Sequence, residues 1–305
     1  VMAKGEENAR LTIANAYLKA LDKASERETK AFIIRQLQIL GKDECVDVLA
    51  TYLNDESLSS PAACALASIG SPKAGAILTA ALKSRSGSPK TQKNIIQAIG
   101  DVQVTEAEDL LLALLETSNP EIQTELLYAL SQIGSLKSLD ALANAAAKDG
   151  YTMTKEGANE AYIILLNRLV EQGHLKEVTK AAQKLQKDAA KAGKEQTSEA
   201  ALQTLLHAEL ANGQGDNASA TKLILAAMKS PSKNYRNAAL NYASHYADKD
   251  LYIGLVKVME KAKPELKVDI LSWIGREAKK TSKHDIIQNL EIRSGLPLQQ
   301  ALLKQ

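Results

Sequence analysis

The side chains able to do chemistry are few and scattered. His174, His207, His245 and His284 stand far apart, and none belongs to a His-Glu-x-x-His helix, the spacing that sets two imidazoles on one face for zinc. They read as isolated surface or cap histidines, so no metal site is expected. Cys45 and Cys64 are too few for a disulfide framework or a four-ligand zinc site. Cys64 lies among Ala62, Ala63, Ala65 and Leu66 on a helix that must pack against neighbours, which predicts a buried, inert thiol. Cys45 sits near the start of a helix; a thiol activated by the dipole is the minor reading there, and an unreactive one the expectation. Spacing leaves open whether the two are paired. Gly213-Gln214-Gly215-Asp216-Asn217-Ala218 imitates a dinucleotide fingerprint, yet the residues before it, Leu205 to Leu210, are helical where that motif needs a strand. It reads as a turn between helices. Asn217-Ala218-Ser219 is the one glycosylation sequon. No catalytic residue and no cofactor are expected in this chain.

Two surface patterns remain. Lys180, Lys184, Lys187, Lys191 and Lys194 are spaced 4, 3, 4 and 3 apart, which predicts all five on one helix face. Such a stripe either follows an anionic partner such as a phosphate backbone, or is the solvated side opposite Val178, Ala182, Leu185 and Ala189. Tyr235, Tyr242 and Tyr246 share a helical face with His245 beside them, and Trp273 and Arg276 belong to the next helix pair. Tyrosine and tryptophan anchor interaction surfaces, and they also fill cores. This patch is the candidate interaction surface.

The elements that carry these residues are helices. Of the 305 residues 45% are hydrophobic and only 4% aromatic, and Ala and Leu dominate, a balance that favours helix over sheet. There are 38 basic and 36 acidic residues, so the chain as a whole has little drive toward nucleic acid or anionic membrane. The charge is uneven: residues 1–150 carry 15 basic and 19 acidic groups, residues 151–305 carry 23 and 17. No apolar run reaches the roughly 18 residues of a spanning helix. The start at Val1, with no apolar signal core behind it, reads as a fragment or a processed product.

A unit of about thirty residues repeats. Gly41, Gly70, Gly100 and Gly134 close helical patterns at intervals of 29, 30 and 34, and the pattern returns at Gly275. Large apolar residues stand one and four positions before each: Leu37/Leu40, Leu66/Ile69, Ile96/Ile99, Leu130/Ile133 and Leu271/Ile274. The glycine is expected to supply the left-handed residue that ends a helix. Leu49, Leu78 and Leu142, eight residues further on, open a second stripe, while Val102-Gln103-Val104-Thr105 lengthens the third turn. Ser60-Pro61, Ser71-Pro72, Ser88-Pro89, Asn119-Pro120 and Ser230-Pro231 read as helix starts, a capping residue before a first-turn proline.

The expected map is a capping helix within 1–26, helix pairs at 27–53, 59–83, 89–116 and 120–147, longer helices from Tyr151 to Gly173 and His174 to Ala192, a pair at 195–212 and 216–229, and pairs again at 231–261 and 264–293. One such unit cannot bury its apolar face alone, so neighbours must stack. The expectation is a single all-α domain: a capping helix, regular repeats over 27–147, an irregular middle over 148–230, and repeats with a cap over 231–305.

Ala65-Leu66-Ala67-Ser68-Ile69-Gly70 and Ala129-Leu130-Ser131-Gln132-Ile133-Gly134 resemble the closing motif of HEAT-like repeats of the short, PBS-lyase type. The resemblance covers 27–147 and 231–293. It implies a right-handed α-solenoid of about eight stacked helix pairs of HEAT/armadillo type. No His-Glu dipeptide occurs, unlike the HEAT-like hydroxylases that bind iron through such pairs. Tyr52 to Leu58 followed by Pro61 to Leu66 is similar to a HEAT-like segment of gut Bacteroidetes proteins, where it often precedes a jelly-roll domain of the 3-keto-disaccharide hydrolase type. That resemblance implies a secreted or periplasmic accessory segment of a carbohydrate-active protein, with the catalytic part outside this chain. Without it the location stays open, the cytoplasm included. The leading expectation is a non-catalytic scaffold for a protein partner or a covalently attached domain. A nucleic-acid-binding repeat protein using the lysine stripe is the alternative, disfavoured by the balanced charge.

Overall fold

A computed structural model describes residues 4–84, 87–117, 119–155, 157–212, 218–245 and 249–281. Sixteen α-helices and three single-turn 3-10 segments make up the described chain, with no strand among those residues. Contacts divide it into two compact units, residues 1–146 with 154–165, and residues 147–153 with 166–305.

In the first unit α1 (Lys4–Lys23) precedes four pairs: α2 (Arg27–Leu40) with α3 (Asp43–Ala50), α4 (Ser59–Ile69) with α5 (Pro72–Lys83), α6 (Pro89–Val102) with α7 (Glu108–Thr117), and α8 (Gln123–Ile133) with α9 (Leu139–Lys148). First helices pack on first helices, α2 on α4 on α6 on α8, and α3 packs on α5. The repeat pattern explains the stack. Leu37, Leu66, Ile96 and Leu130, four residues before each glycine, are fully buried, as are Leu49, Leu78 and Leu142. Burying each in a shared core contributes roughly 1.5–3 kcal/mol.

Polar clasps fix the register between pairs. Lys73 Nζ reaches Asp47 at 2.7 Å, and the Ser71 hydroxyl bonds Asp43. Two layers on, Glu108 accepts from Ser135 N at 2.7 Å and from Ser138 Oγ at 2.6 Å, and Lys137 reaches Asp109 at 2.9 Å. In both layers a Ser-x-Lys segment opening one second helix grips acids on the second helix before it. At the amino-terminal end Arg10 does similar work. It donates to the Leu40 carbonyl at 2.5 Å, to Glu44 at 2.6 Å and to Glu7 at 2.8 Å, tying α1 to the turn between α2 and α3. Lys42 adds a bond to the other Glu7 oxygen at 2.8 Å. These bonds, from Arg10 first and then Lys42, pull the Glu7 carboxyl down to about 2.

The glycines do not all act as expected. Gly70 is left-handed, with φ at 60°. Gly41 and Gly134 are extended, φ −73° and −57°, and owe their identity to crowding. A Cβ there would stand 2.5 Å from the Leu37 carbonyl and 2.4 Å from the Leu130 carbonyl. Gly100 ends nothing: α6 runs through it to Val102, and Gln103 takes the left-handed position at φ 58°. Its missing Cβ lets α8 approach, since a Cβ would lie 3.0 Å from Ala129 Cα. Gly275 likewise lies inside a helix, α16 (Pro264–Thr281).

The proline starts hold in part. Ser71 caps α5 and Asn119 caps its 3-10 turn, each accepting a backbone N–H. Ser88 occupies the cap position of α6 without a side-chain bond. Ser60 lies within α4, whose approach is held instead by Asp55, accepting from Ser57 N at 2.8 Å and Leu58 N at 3.1 Å.

In the second unit α10 (Ala158–Glu171) leads to α11 (Leu175–Lys191), α12 (Glu195–Ala211), α13 (Ala218–Ala227), α14 (Lys233–Ala243), α15 (Lys249–Glu260) and α16; the first half of α10 belongs to the other unit. The expected helix from Tyr151 starts only at Ala158, because Gly150 and Tyr151 are both left-handed, at φ 63° and 59°. The cap before α14 is Ser232, not Ser230, and accepts from Tyr235 N. Here α12 packs on α14 and α14 on α16, while α13 packs on α15. Arg236 and Asp269 lock α14 to α16 across 2.9 Å, both side chains buried, and Arg236 also donates to the Ser230 and Pro231 carbonyls.

Candidate interaction surfaces

The aromatic patch of the second unit divides into core and surface. Trp273 is 1% exposed, tilted against Tyr252 with ring centroids 5.5 Å apart. Its indole N–H donates to Ser244 Oγ at 3.1 Å, and that hydroxyl donates to the buried Glu277 carboxylate at 2.8 Å. Tyr235 is half-buried, its hydroxyl accepting from Gln186 Nε2 at 2.5 Å, so it joins α14 to α11. Burial raises its pKa, as it does for Tyr242 and Tyr252. Trp273 and Tyr235 are therefore packing residues. Tyr242 lies half-buried at the edge of the same core, its ring 6.0 Å from that of exposed His245, and Arg276 is exposed on α16. Tyr246 lies outside the described residues, as does His284. Val268, apolar and 51% exposed nearer the start of α16, was not singled out by the sequence pattern.

The lysine stripe holds for four of its five members. Lys180, Lys184, Lys187 and Lys191 are exposed on α11, opposite Val178, Ala182, Leu185 and Ala189, all buried in the unit. Lys194 is not on that helix. Gly193, left-handed at φ 69°, ends α11 with a Schellman-type turn in which Lys194 N bonds the Ala189 carbonyl at 2.9 Å, leaving Lys194 half-buried as the cap of α12. The Ala192-Gly193 step is the sequence signal that marks the stop.

Of the two thiols, Cys64 departs from expectation and Cys45 does not. Cys45 is fully buried, and desolvation together with the nearby Glu44 charge pushes its thiol up to about 11, so the helix dipole does not activate it. Cys64 is exposed, because α4 turns Ser60, Cys64 and Ser68 to solvent while Ala62, Ala63, Ala65 and Leu66 fill the core. Both are free thiols. Beside Cys64, Tyr128 donates to Asp101 at 2.6 Å across α6 and α8, its pKa lifted to about 12 by burial and this bond.

A further surface escaped the sequence reading. On α2 the chain's single phenylalanine, Phe32, is 53% exposed and Ile39 is 79% exposed. Seven residues apart, they share the face opposite Ile33, Ile34 and Leu37. The signal was present: Phe32 and Ile39 are surplus to the core stripe that Ile33, Leu37 and Leu40 already define.

Among the described residues no group of three or more His, Cys, Asp or Glu side chains could hold a metal ion. No described helix is long and apolar enough to cross a membrane. His207 faces Asn167, Nδ1 to Oδ1 at 3.4 Å.

Stacked helix pairs, with no strand among the described residues, define an all-α solenoid. Residues 83–163, from the end of α5 into α10, match the family of HEAT repeats. No curated protein matches the chain.

Proposed function

We propose that this chain is a non-catalytic scaffold whose exposed helix faces hold a protein partner or a neighbouring domain of the same polypeptide. The observation that carries the reading is the Phe32/Ile39 pair. A monomer with a complete core beneath α2 gains nothing by presenting two large apolar side chains to water on one face, whereas a docking surface uses them as anchors. Tyr242, His245 and Arg276 are the second candidate surface, aromatic and cationic side chains on α14 and α16. Chemistry carried out by any complex then belongs to the partner.

The test is a pair of solvent-facing substitutions, Phe32→Asp with Ile39→Asp. The double variant keeps its helical circular dichroism and thermal midpoint but loses the protein that co-purifies stoichiometrically with the native chain, as identified by mass spectrometry. Retention of every partner by this variant and by a Tyr242→Ala/Arg276→Glu variant would remove the scaffold reading.

A further inference from the structure

The solvent face of α11 carries Lys176, Lys180, Lys184, Lys187 and Lys191, spaced 4, 4, 3 and 4 apart and all exposed. At 1.5 Å per residue the row is about 22 Å long, with an ammonium group every 4.5–6 Å or so. Gln183 and Ala190 border the row on one side, Glu177 and Asp188 on the other. Glu177 and Asp188 stand about 60° and 80° from the middle of the row, and Asp188 is engaged by the Tyr151 hydroxyl.

None of the five lysines has a carboxylate partner among the described residues. The contrast with other cations is direct: Lys42 meets Glu7, Lys73 meets Asp47, Lys137 meets Asp109, and Arg236 meets Asp269. Like charges three and four residues apart on a helix repel, and Glu177, three residues from Lys180, and Asp188, four from Lys184 and three from Lys191, offset that only in part. The helix cannot roll to relieve it, because Val178, Ala182, Leu185 and Ala189 are locked in the core and Gln186 is bonded to Tyr235.

We infer that this row is a docking surface for an acidic segment of a protein partner, with glutamates or aspartates at matching helical spacing. The assignment rests on the scaffold reading and names the chemistry of one partner. The chemistry of the face selects this class. Nucleic acid would call for a broad positive field and for arginine or aromatic side chains to meet bases, and the face has neither, in a chain of net charge +2. A membrane surface would be gripped more firmly with apolar side chains among the lysines, and Ala190 is the sole apolar residue there.

The experiment titrates the full chain with a fluorescent helical peptide carrying glutamates at the 4-4-3-4 spacing, at low and at physiological salt. A composition-matched peptide with the glutamates spread around the helix is the control, and duplex DNA and phosphatidylserine vesicles are rival probes. The patterned peptide binds, weakens as salt rises, and loses at least about tenfold in affinity when Lys180, Lys184, Lys187 and Lys191 are changed together to Glu. A fourfold Lys→Gln variant with an unchanged thermal midpoint gives the same loss and separates binding from folding. Absence of binding at low salt, equal binding of the scattered peptide, or equal binding by the variants overturns the inference. Tighter lysine-dependent binding of DNA or vesicles at the same salt overturns it too. A native partner that stays with the lysine variants but leaves the Phe32→Asp/Ile39→Asp variant removes only this surface and leaves the scaffold standing.

Discussion

Replacing Trp273 decides whether the aromatic patch is core or contact. Its indole is 1% exposed, packs on Tyr252 at 5.5 Å, and donates to Ser244 at 3.1 Å in a chain of bonds ending on buried Glu277. Truncation to Ala removes the largest fully buried side chain and empties its site, which costs about 3–5 kcal/mol. It also leaves Ser244 short of a donor, a smaller loss of about 1 kcal/mol. For a unit of about 150 residues, each kcal/mol moves the midpoint by about 2–4 °C, so about 4 kcal/mol lowers it by roughly 8–16 °C. Trp273→Phe keeps a ring against Tyr252 but loses the N–H, and falls by only about 1–2 kcal/mol. Trp273 is the only tryptophan, so its fluorescence reports unfolding of this unit in the native chain and in a Ser244→Ala variant. Far-UV circular dichroism follows the Trp273 variants. A Trp273→Ala protein less than about 1 kcal/mol below the native one, yet defective in partner binding, refutes the packing argument.

Four other expectations follow from local geometry. Gly134→Ala drives a Cβ to 2.4 Å from the Leu130 carbonyl and 2.8 Å from Ser138 Oγ, so backbone must shift and stability falls by about 1–3 kcal/mol by urea denaturation. Gly70→Ala, strained only by its left-handed φ, loses about 1–2 kcal/mol. Glu7 ionises at about 2 in the folded chain against 4.5 ordinarily, so the unfolded chain takes up the proton first as pH falls. Its anchoring of α1 is complete above about pH 4.5 and lost progressively toward pH 2; hydrogen exchange in α1 shows that loss, and Glu7→Gln abolishes it. Ellman's reagent titrates Cys64 in the native protein and Cys45 only on unfolding; equal rates at both thiols would contradict the burial of Cys45.

Helix content and core positions were legible because they depend on periodicity, which the chain carries locally. Leu37, Leu66, Ile96 and Leu130 recur before each glycine, and burying one face of a helix requires that recurrence. The boundaries of α5 and α16 followed from Pro72 and Pro264, whose fixed φ opens a helix wherever it falls. The lysine row was legible for the same reason as far as Lys191, and failed at Lys194 because a left-handed glycine turned the chain.

What the residues could not announce is what stands beside them in space. Gly41 and Gly134 look like helix-ending left-handed glycines and are instead extended residues crowded against a carbonyl. Cys64 faces water although its neighbours are alanines and a leucine, because the helices packed on α4 fix which of its sides meets solvent. Trp273, Tyr235 and the Arg236–Asp269 pair owe their roles to residues 29 to 49 positions away. Periodicity is a property of one segment, so sequence determined the helices, their stacking stripe and the repeat. Exposure is a property of several segments packed together, so only the tertiary structure decided which aromatics are core and which charges have partners. It alone left Phe32 and Ile39 facing solvent.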